Sequence, residues 1–189
     1  MHTVSSEPKI DADVDDSRAW WFFDSLAVIL ASFDETGQKL TFVEGLSPGG
    51  RGSMPPLHVH PDQEEAFYIL EGSLRLYVGR DTFDIGPGQF RLAPRGIPHT
   101  FEVASTGTTR CLTWITGPFD EFVRDVGRPA TELRLPTADE EPPVDPDELT
   151  RLAALRGITI LGPPGMLPTE LPEFADGPDP YSETPETAG

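Results

Sequence analysis

The chain has 189 residues, of which 37% are hydrophobic, and it contains 21 prolines and 18 glycines. This length suffices for one domain with a full core, and the proline and glycine content predicts many turns. The formal net charge of −18 predicts a surface that repels phosphate backbones and anionic lipid headgroups. We therefore expect neither nucleic acid nor a membrane as a partner.

Residues 1–18 are polar and acidic, and they are predicted to form a flexible arm. They lack the basic and apolar regions of a secretory signal, and no run of about 18 apolar residues occurs in the chain. The single cysteine, Cys111, excludes an intramolecular disulfide, and its place in CLTWIT predicts a buried thiol. These features predict a soluble cytoplasmic protein.

Residues 19–117 alternate short apolar runs with turn sequences. The run WWFFDSLAVILASF (20–33) predicts one or two strands, with a helix as the alternative, and KLTFVEGL (39–46) would complete a hairpin. Seven further short strands are predicted at residues 57–60, 65–70, 73–79, 81–85, 89–93, 99–103 and 110–116. Because turn sequences and no helices separate these strands, we predict an all-β domain, an antiparallel sandwich or barrel.

The pattern becomes helical after residue 117. Residues 119–127 have a helical apolar spacing, and residues 145–158 predict a second helix with Asp145 as N-cap and Gly157 as C-cap. Residues 118–162 are therefore predicted to be a helical extension that packs on the barrel. Residues 163–189 are acidic and proline-rich, which predicts a disordered tail.

Three histidines and one glutamate are candidates for a metal site. His58 and His60 are two residues apart on a predicted strand, so their side chains point to the same face, about 6.5–7 Å apart along the backbone. Glu65 opens the next strand, and an antiparallel neighbour would bring its carboxylate beside the pair. His99 follows PRGIP, and a closed sheet would bring it opposite the pair. Three imidazoles and one carboxylate suit a first-row transition metal.

These residues lie in two spaced motifs that resemble those of the cupin superfamily. The motif at residues 52–72 has Gly52, His58, His60, Glu65 and Gly72, and the motif at residues 88–103 has Gly88, Pro94, Gly96 and His99. Val103 stands where the second motif usually ends in Asn, a position that is not a ligand. Glu64 competes with Glu65, but the spacing to Gly72 favours Glu65.

The resemblance implies a cupin fold, that is, a double-stranded β-helix or jelly-roll barrel, over residues 19–117. It also implies that His58, His60, Glu65 and His99 bind one divalent transition metal ion, which would be Fe, Ni, Mn, Co, Cu or Zn.

The layout of the whole chain is similar to the single-domain cupins that include bacterial quercetinase-like dioxygenases. The strand pair before the first motif, the segment after the barrel and the later helix support this similarity. It implies an oxidoreductase, a metal-dependent dioxygenase that acts on a small aromatic or enolic substrate, with Glu65 also as the catalytic base. Candidate substrate-pocket residues, for which plain barrel core is the alternative, are Phe67, Phe90, Phe101 and Trp114.

Two other functions stay open at the level of sequence. One is a non-redox metal-dependent isomerase, cyclase or lyase, and the other is a cupin that binds a small molecule without turnover. Turnover without dioxygen would separate the first from an oxygenase. Since cupins often dimerise through sheet edges, we also expect a homodimer, with WWFFDSLAVIL as its interface.

Overall fold

The computed structural model describes residues 16–50 and 54–175, and this part of the chain is mainly antiparallel β-sheet. The strands are β1 (Ala19–Phe22), β2 (Ser25–Ala31), β3 (Thr41–Ser47), β4 (Pro56–Val59), β5 (Glu65–Glu71), β6 (Leu74–Val78), β7 (Asp81–Ile85), β8 (Phe90–Ala93), β9 (His99–Val103), β10 (Thr109–Ile115), β11 (Arg128–Pro129) and β12 (Thr159–Pro164). The helices are α1 (Phe119–Val126), α2 (Pro146–Leu155) and α3 (Pro172–Ala175), with 3-10 turns at Asp16–Arg18 and Pro168–Glu170.

The strands form two sheets that enclose a shared core. One sheet has seven strands in the order β11-β1-β2-β3-β10-β5-β8, and the other has five in the order β12-β4-β9-β6-β7. Phe67 and Ile69 of the first sheet pack with Leu74 and Leu76 of the second in one apolar cluster. The all-β sandwich or barrel predicted from the sequence is confirmed.

The N-terminal apolar run forms two strands, so the helical alternative for residues 20–33 is wrong. A tight turn at Phe23, whose φ is 55°, joins β1 to β2. Trp21 and Leu26 pack outward under the segment at 130–135, whereas Ala27 and Ile29 pack inward near α1. A run that is apolar on both faces cannot show the alternation of a half-buried strand, which explains the ambiguity.

The C-terminal extension contributes strands as well as helices. Helix α2 begins at the predicted N-cap, because the Asp145 side chain accepts a hydrogen bond of 2.9 Å from the Glu148 amide. Strand β11 then pairs with β1, and β12 pairs with β4, so the extension widens both sheets. β1 is consequently flanked on both sides and is not a free edge for pairing with a second copy.

The predicted start of the disordered tail at residue 163 is too early. Strand β12 reaches Pro164, and Leu171 and Phe174 bury their side chains against Leu57. These apolar residues lie within an acidic, proline-rich composition that hid them from the sequence analysis.

Residues 1–15, 51–53 and 176–189 lie outside the described residues, and with them lie most of the predicted arm, Gly52 of the first motif and the rest of the predicted tail. No helix within 16–50 and 54–175 has the length and apolar character that crossing a membrane requires.

Candidate metal centre

The two sheets bring His58, His60, Glu65 and His99 together, and we call these four residues the candidate metal centre. His58 in β4 pairs directly with His99, the first residue of β9. His60 follows the end of β4, and its carbonyl oxygen accepts a hydrogen bond of 2.8 Å from the Gly96 amide. Glu65 is the first residue of β5, which belongs to the facing sheet.

The sequence analysis predicted Glu65 on the strand beside the histidine pair and His99 opposite it, and the structure has these two residues the other way round. His99 lies on the strand next to the histidine pair, and Glu65 faces the pair from across the barrel. The segment at 61–64 takes the chain from one sheet to the other, so consecutive strands β4 and β5 are not hydrogen-bonded neighbours. The spacing of the motif identified the four residues that the fold brings together, but not the order of the strands.

One carboxylate oxygen is the common point of the centre. Glu65 Oε2 lies 2.9 Å from His99 Nε2, 3.3 Å from His60 Nε2 and 3.6 Å from His58 Nε2. One ligand atom from each of the four residues lies within 4.8 Å of the others. His99, His60 and Glu65 are buried, whereas the side chain of His58 is 13% exposed.

Backbone carbonyls fix two of the imidazoles. His58 Nδ1 donates to the Pro56 carbonyl at 2.9 Å, and His99 Nδ1 donates to the Ile97 carbonyl at 2.8 Å. A carbonyl only accepts, so Nδ1 carries the proton in both rings and Nε2 faces the centre. His60 Nδ1 instead lies 3.0 Å from the side-chain oxygen of Gln63.

The buried charges of the centre compensate one another. Burial alone would raise the pKa of Glu65, but its contacts with the three imidazoles outweigh burial and hold this pKa well below its usual value in the metal-free centre, where a second proton on a ring lets Nε2 donate to Oε2. Burial tends to lower the pKa of His60, yet the hydrogen bond and charge of Glu65 prevail and raise it. Burial also lowers the pKa of His58, and the nearby His99 adds to this effect. Glu65 is thus a carboxylate at neutral pH.

The chemistry of this donor set fits a first-row divalent transition metal. Imidazole nitrogen and carboxylate oxygen are the ligands that Fe, Ni, Co, Cu and Zn share, and three imidazoles with one carboxylate leave coordination positions free. Each histidine also has a hydrogen-bonded Nδ1, the arrangement that orients metal-bound histidines in proteins.

Glu64, the competing carboxylate, does not belong to the centre. Its side chain is 37% exposed and pairs with Arg95 at 2.9 Å. Side chains of adjacent strand residues point to opposite faces, so Glu64 and Glu65 cannot both face the barrel interior. The prediction of Glu65 over Glu64 agrees with this placement.

The comparison with protein families decides the assignment of the fold. Residues 42–115 match the family model described as a cupin domain. Residues 42–115 are a cupin domain. A curated relative, quercetin 2,3-dioxygenase of Bacillus subtilis (strain 168), is 28% identical over 171 residues, which cover 88% of this chain and 50% of that protein. The chain thus spans about half the length of this curated relative.

Solved structures also resemble parts of the chain. A predicted oxalate decarboxylase of Thermotoga maritima is 24% identical, with 49% of this chain and 79% of that chain covered and a TM-score of 0.46. An oxalate decarboxylase of Lactobacillus farciminis in complex with formate is 20% identical, with 55% of this chain and 32% of that chain covered and a TM-score of 0.46.

The two sheets and the C-terminal extension enclose an inner cavity of about 810 Å³ beside the candidate metal centre. His58, His60 and Glu65 form part of its wall, so the centre opens onto the cavity. Of the predicted pocket residues, Phe67 and Phe101 line this cavity, with ring centroids 5.7 Å apart. These two side chains therefore lie at the cavity, and their contact with a substrate stays a prediction.

The other two predicted pocket residues, Phe90 and Trp114, lie on the outer face of the seven-stranded sheet. Their rings stack at a centroid distance of 5.2 Å, and Phe90 is 48% exposed. The reason is strand alternation, because Thr113 faces the cavity and its neighbour Trp114 must then face outward. Phe90 pairs with Tyr68, on the face opposite to that of Phe67.

Sequence analysis missed the part of the cavity wall that the C-terminal extension supplies. Apolar side chains of α1, α2, β12 and the link between α2 and β12 close the cavity over the sheet, and they are Phe119, Phe122, Leu149, Ile158 and Ile160. Their helical spacing was visible, but it predicts only an apolar face and not the surface that the face covers.

Cys111 also lines the cavity and is a buried thiol, as predicted. Burial raises the pKa of Cys111 to about 12, so the group stays protonated at neutral pH. Its S–H donates to the Leu112 carbonyl at 3.3 Å. Cys111 therefore has the properties of a core residue and not of a nucleophile.

Proposed function

We propose that the protein is a metal-dependent oxygenase that acts on a small, uncharged aromatic or enolic substrate. The inner cavity is the observation that carries this proposal. Its volume of about 810 Å³ is in the range that accommodates a small molecule, and its wall combines the candidate metal centre with aromatic and aliphatic side chains. A flat, apolar ring system with a hydroxyl group matches such a wall.

The charge of the cavity wall supports an uncharged substrate. The described residues that line the cavity include no lysine and no arginine. Arg75 and Arg95 point away from it and pair with Asp84 and Glu64. An anionic substrate would therefore lose its hydration without gaining a cationic side chain, which is costly.

The residues of the wall have distinct roles in the proposed reaction. His58, His60, Glu65 and His99 would hold the metal. A divalent transition metal at this centre would supply Lewis acidity and one-electron chemistry toward dioxygen. Glu65, a carboxylate in the cavity wall, accepts the proton of the substrate hydroxyl group.

The apolar residues of the wall orient the substrate and exclude water. Phe67 and Phe101 pack against its ring, and Phe119 and Phe122 of α1 close the opposite side. The name of the Bacillus subtilis relative, quercetin 2,3-dioxygenase, is consistent with this chemistry.

Metal analysis tests the centre, and dioxygen uptake tests the reaction. We expect stoichiometric transition metal in the wild-type protein and at least about a tenfold lower content in His58→Ala and His99→Ala. Undiminished metal in both variants would overturn the ligand assignment. With quercetin as the trial substrate, we expect dioxygen uptake that depends on metal, and turnover that proceeds unchanged without dioxygen would exclude an oxygenase.

Adjacent glutamates provide a matched pair for the proposed base. Glu65→Gln removes the proton acceptor and a candidate metal ligand, and at matched metal content it is expected to lower kcat about 100-fold or more. Glu64→Gln changes the exposed neighbour that pairs with Arg95, so its kcat should equal that of the wild type. Equal activity of the two variants would contradict the role of Glu65.

A further inference from the structure

Gln63 connects the candidate metal centre to the C-terminal extension. Its side-chain oxygen lies 3.0 Å from His60 Nδ1, and its side-chain nitrogen donates to the Arg156 carbonyl at 2.9 Å. Arg156 is the C-cap residue of α2. One amide group therefore spans the distance between a metal-ligand candidate and a helix that is 93 residues away in sequence.

The Arg156 carbonyl determines the direction of every hydrogen bond in this chain of contacts. A backbone carbonyl only accepts, so the NH₂ group of Gln63 must face Arg156 and its oxygen must face His60. That oxygen also only accepts, so His60 Nδ1 must be the donor. In the neutral ring Nδ1 carries the only proton, so the lone pair of His60 Nε2 is available to a metal beside Glu65 Oε2, which lies 3.3 Å away.

His60 differs in this respect from the other two histidines. Backbone carbonyls of Pro56 and Ile97 orient His58 and His99, so the neighbouring strand conformation fixes both rings. The ring of His60 takes its orientation from a side chain, and that side chain takes its own orientation from α2.

Two glycines leave the space that Gln63 occupies. A Cβ atom at Gly117 would lie 2.4 Å from the side-chain carbon Cδ of Gln63, and one at Gly157 would lie 2.5 Å from its Nε2 atom. Gly157 also has a φ of 77°, which disfavours other residues. Gly117, just before α1, and Gly157, just after α2, thus enclose the Gln63 amide.

We propose that Gln63 is a positioning residue that holds His60 in the metal-binding tautomer and links the metal centre to α2. The link has a consequence for the cavity, because Leu149 of α2 and Ile158 behind it belong to the cavity wall. A ligand that displaces α2 would move the Arg156 carbonyl, which orients Gln63 and through it the ring of His60. The inference rests on the proposed metal site but not on the proposed oxygenase reaction.

Metal affinity tests this proposal without any measurement of turnover. Cobalt(II) is titrated against a competing chelator, and its visible absorption reports the ligand geometry. Gln63→Ala is expected to weaken cobalt binding about 10- to 100-fold and to change the absorption spectrum. Gln63→Glu retains an acceptor for His60 Nδ1 but loses the donor to the Arg156 carbonyl, so its cobalt affinity should lie between those of the wild type and Gln63→Ala.

A second glutamine and a second glycine serve as matched controls. Gln89→Ala removes an amide whose oxygen accepts from the Gly86 backbone at 2.7 Å, in a turn that does not contact the centre, so cobalt affinity should not change. Gly165→Ala introduces strain at a φ of 93°, but its Cβ would meet no atom within 4 Å. It should leave the affinity unchanged, whereas Gly157→Ala should lower it.

A double-mutant cycle shows whether Gly157 acts through Gln63. The Gly157→Ala substitution should weaken cobalt binding in the wild type and have no further effect in Gln63→Ala, because the side chain that the new methyl group displaces is then absent. Additive effects of the two substitutions, or wild-type affinity in Gln63→Ala, would overturn the proposal. If the wild-type protein does not bind cobalt, the proposed metal centre itself is wrong. This outcome differs from a Gln63→Ala variant that binds cobalt as tightly as the wild type, which contradicts only the role of Gln63.

Discussion

At the scale of single residues, a shift of one position decides which face of a strand a side chain occupies. Glu65 faces the buried histidines, whereas Glu64 pairs with Arg95 at the surface. Phe67 belongs to the inner cavity, whereas Phe90 is 48% exposed. Aromatic character alone therefore does not identify a pocket residue in this barrel, and alternation along the strand does.

Phe67 and Phe90 should differ sharply in their contribution to stability. Phe67 is 2% exposed and packs against Phe101, so Phe67→Ala is expected to lower the free energy of unfolding by about 3 kcal/mol. Phe90→Ala removes a half-exposed ring that contacts Trp114, with an expected loss below about 1 kcal/mol. Urea unfolding of the metal-free proteins measures both, and equal losses would contradict the assignment of the two faces.

The residues of the metal centre were predictable because their spacing reflects backbone geometry. His58 and His60 share a face through the period of a strand, and the glutamate and third histidine occur at motif spacings. Gln63 was not predictable, because its role depends on the Arg156 carbonyl, which only the folded chain brings near. Local periodicity contains no information on such a long-range contact.

At the scale of secondary-structure elements, the C-terminal extension completes the domain. Strand β12 pairs with β4 so that Ile160 lies opposite His58. Helices α1 and α2 cover the inner cavity, and Arg156 of the α2 C-cap pairs with Glu121 and Asp125 of α1. Their helical periods were predictable from the sequence. The addition of β12 to the sheet was harder to predict, because TILGPP has little strand character.

Asp120 should be a main anchor of α1. It is 2% exposed, and its carboxylate accepts hydrogen bonds from the Phe33 amide at 3.0 Å and the Thr41 hydroxyl at 2.8 Å. Asp120→Ala removes the acceptor of the Phe33 amide and the ion pair with Arg124, whereas the Thr41 hydroxyl keeps the Gly117 carbonyl at 2.7 Å, so we expect a loss of about 2 kcal/mol in the free energy of unfolding. Asp147 occupies the equivalent second position of α2 but is exposed, and Asp147→Ala should cost less than about 1 kcal/mol.

The effect of Asp120 should also depend on pH. Burial alone would raise the pKa of Asp120, but the hydrogen bonds from Phe33, Thr41 and Arg124 outweigh burial and lower it. A carboxylate with a lowered pKa stabilises the folded state above its unfolded pKa, and this stabilisation is lost as the pH falls through the folded pKa. The difference between wild type and Asp120→Ala should therefore be smaller at pH 3 than at pH 7. A difference that grows on acidification would contradict this assignment.

At the scale of the whole molecule, the way the sheets are completed limits how copies can associate. The N-terminal strand β1, which the sequence suggested as an interface, is paired on one side with β11 and on the other with β2. A homodimer remains a prediction, and addition of β1 to a partner's sheet would first require β11 to leave. The outer face that carries Phe90 and Trp114 offers an alternative apolar surface.

Because the formal net charge is −18, the direction in which stability changes with salt shows whether repulsion among acidic residues or attraction within ion pairs is the larger effect. The chain has 32 acidic and 14 basic residues, so most acids cannot find a cationic partner. Exposed ion pairs such as Arg75–Asp84 contribute little to stability and weaken with salt. Repulsion among the remaining acids also weakens with salt, and this change stabilises the folded state.

We expect repulsion to dominate, so the Tm of the metal-free protein should rise when NaCl increases from 10 to 200 mM. The screening length falls from about 30 Å to below about 10 Å over this range, which suppresses repulsion between distant charges. Each kcal/mol gained corresponds to a rise of about 2–4 °C for a chain of this size. The same salt step at pH 4.4, the isoelectric point, should have little effect, because net repulsion is then absent. A Tm that falls with salt at pH 7 would show instead that ion pairs contribute more than the excess of acidic residues costs.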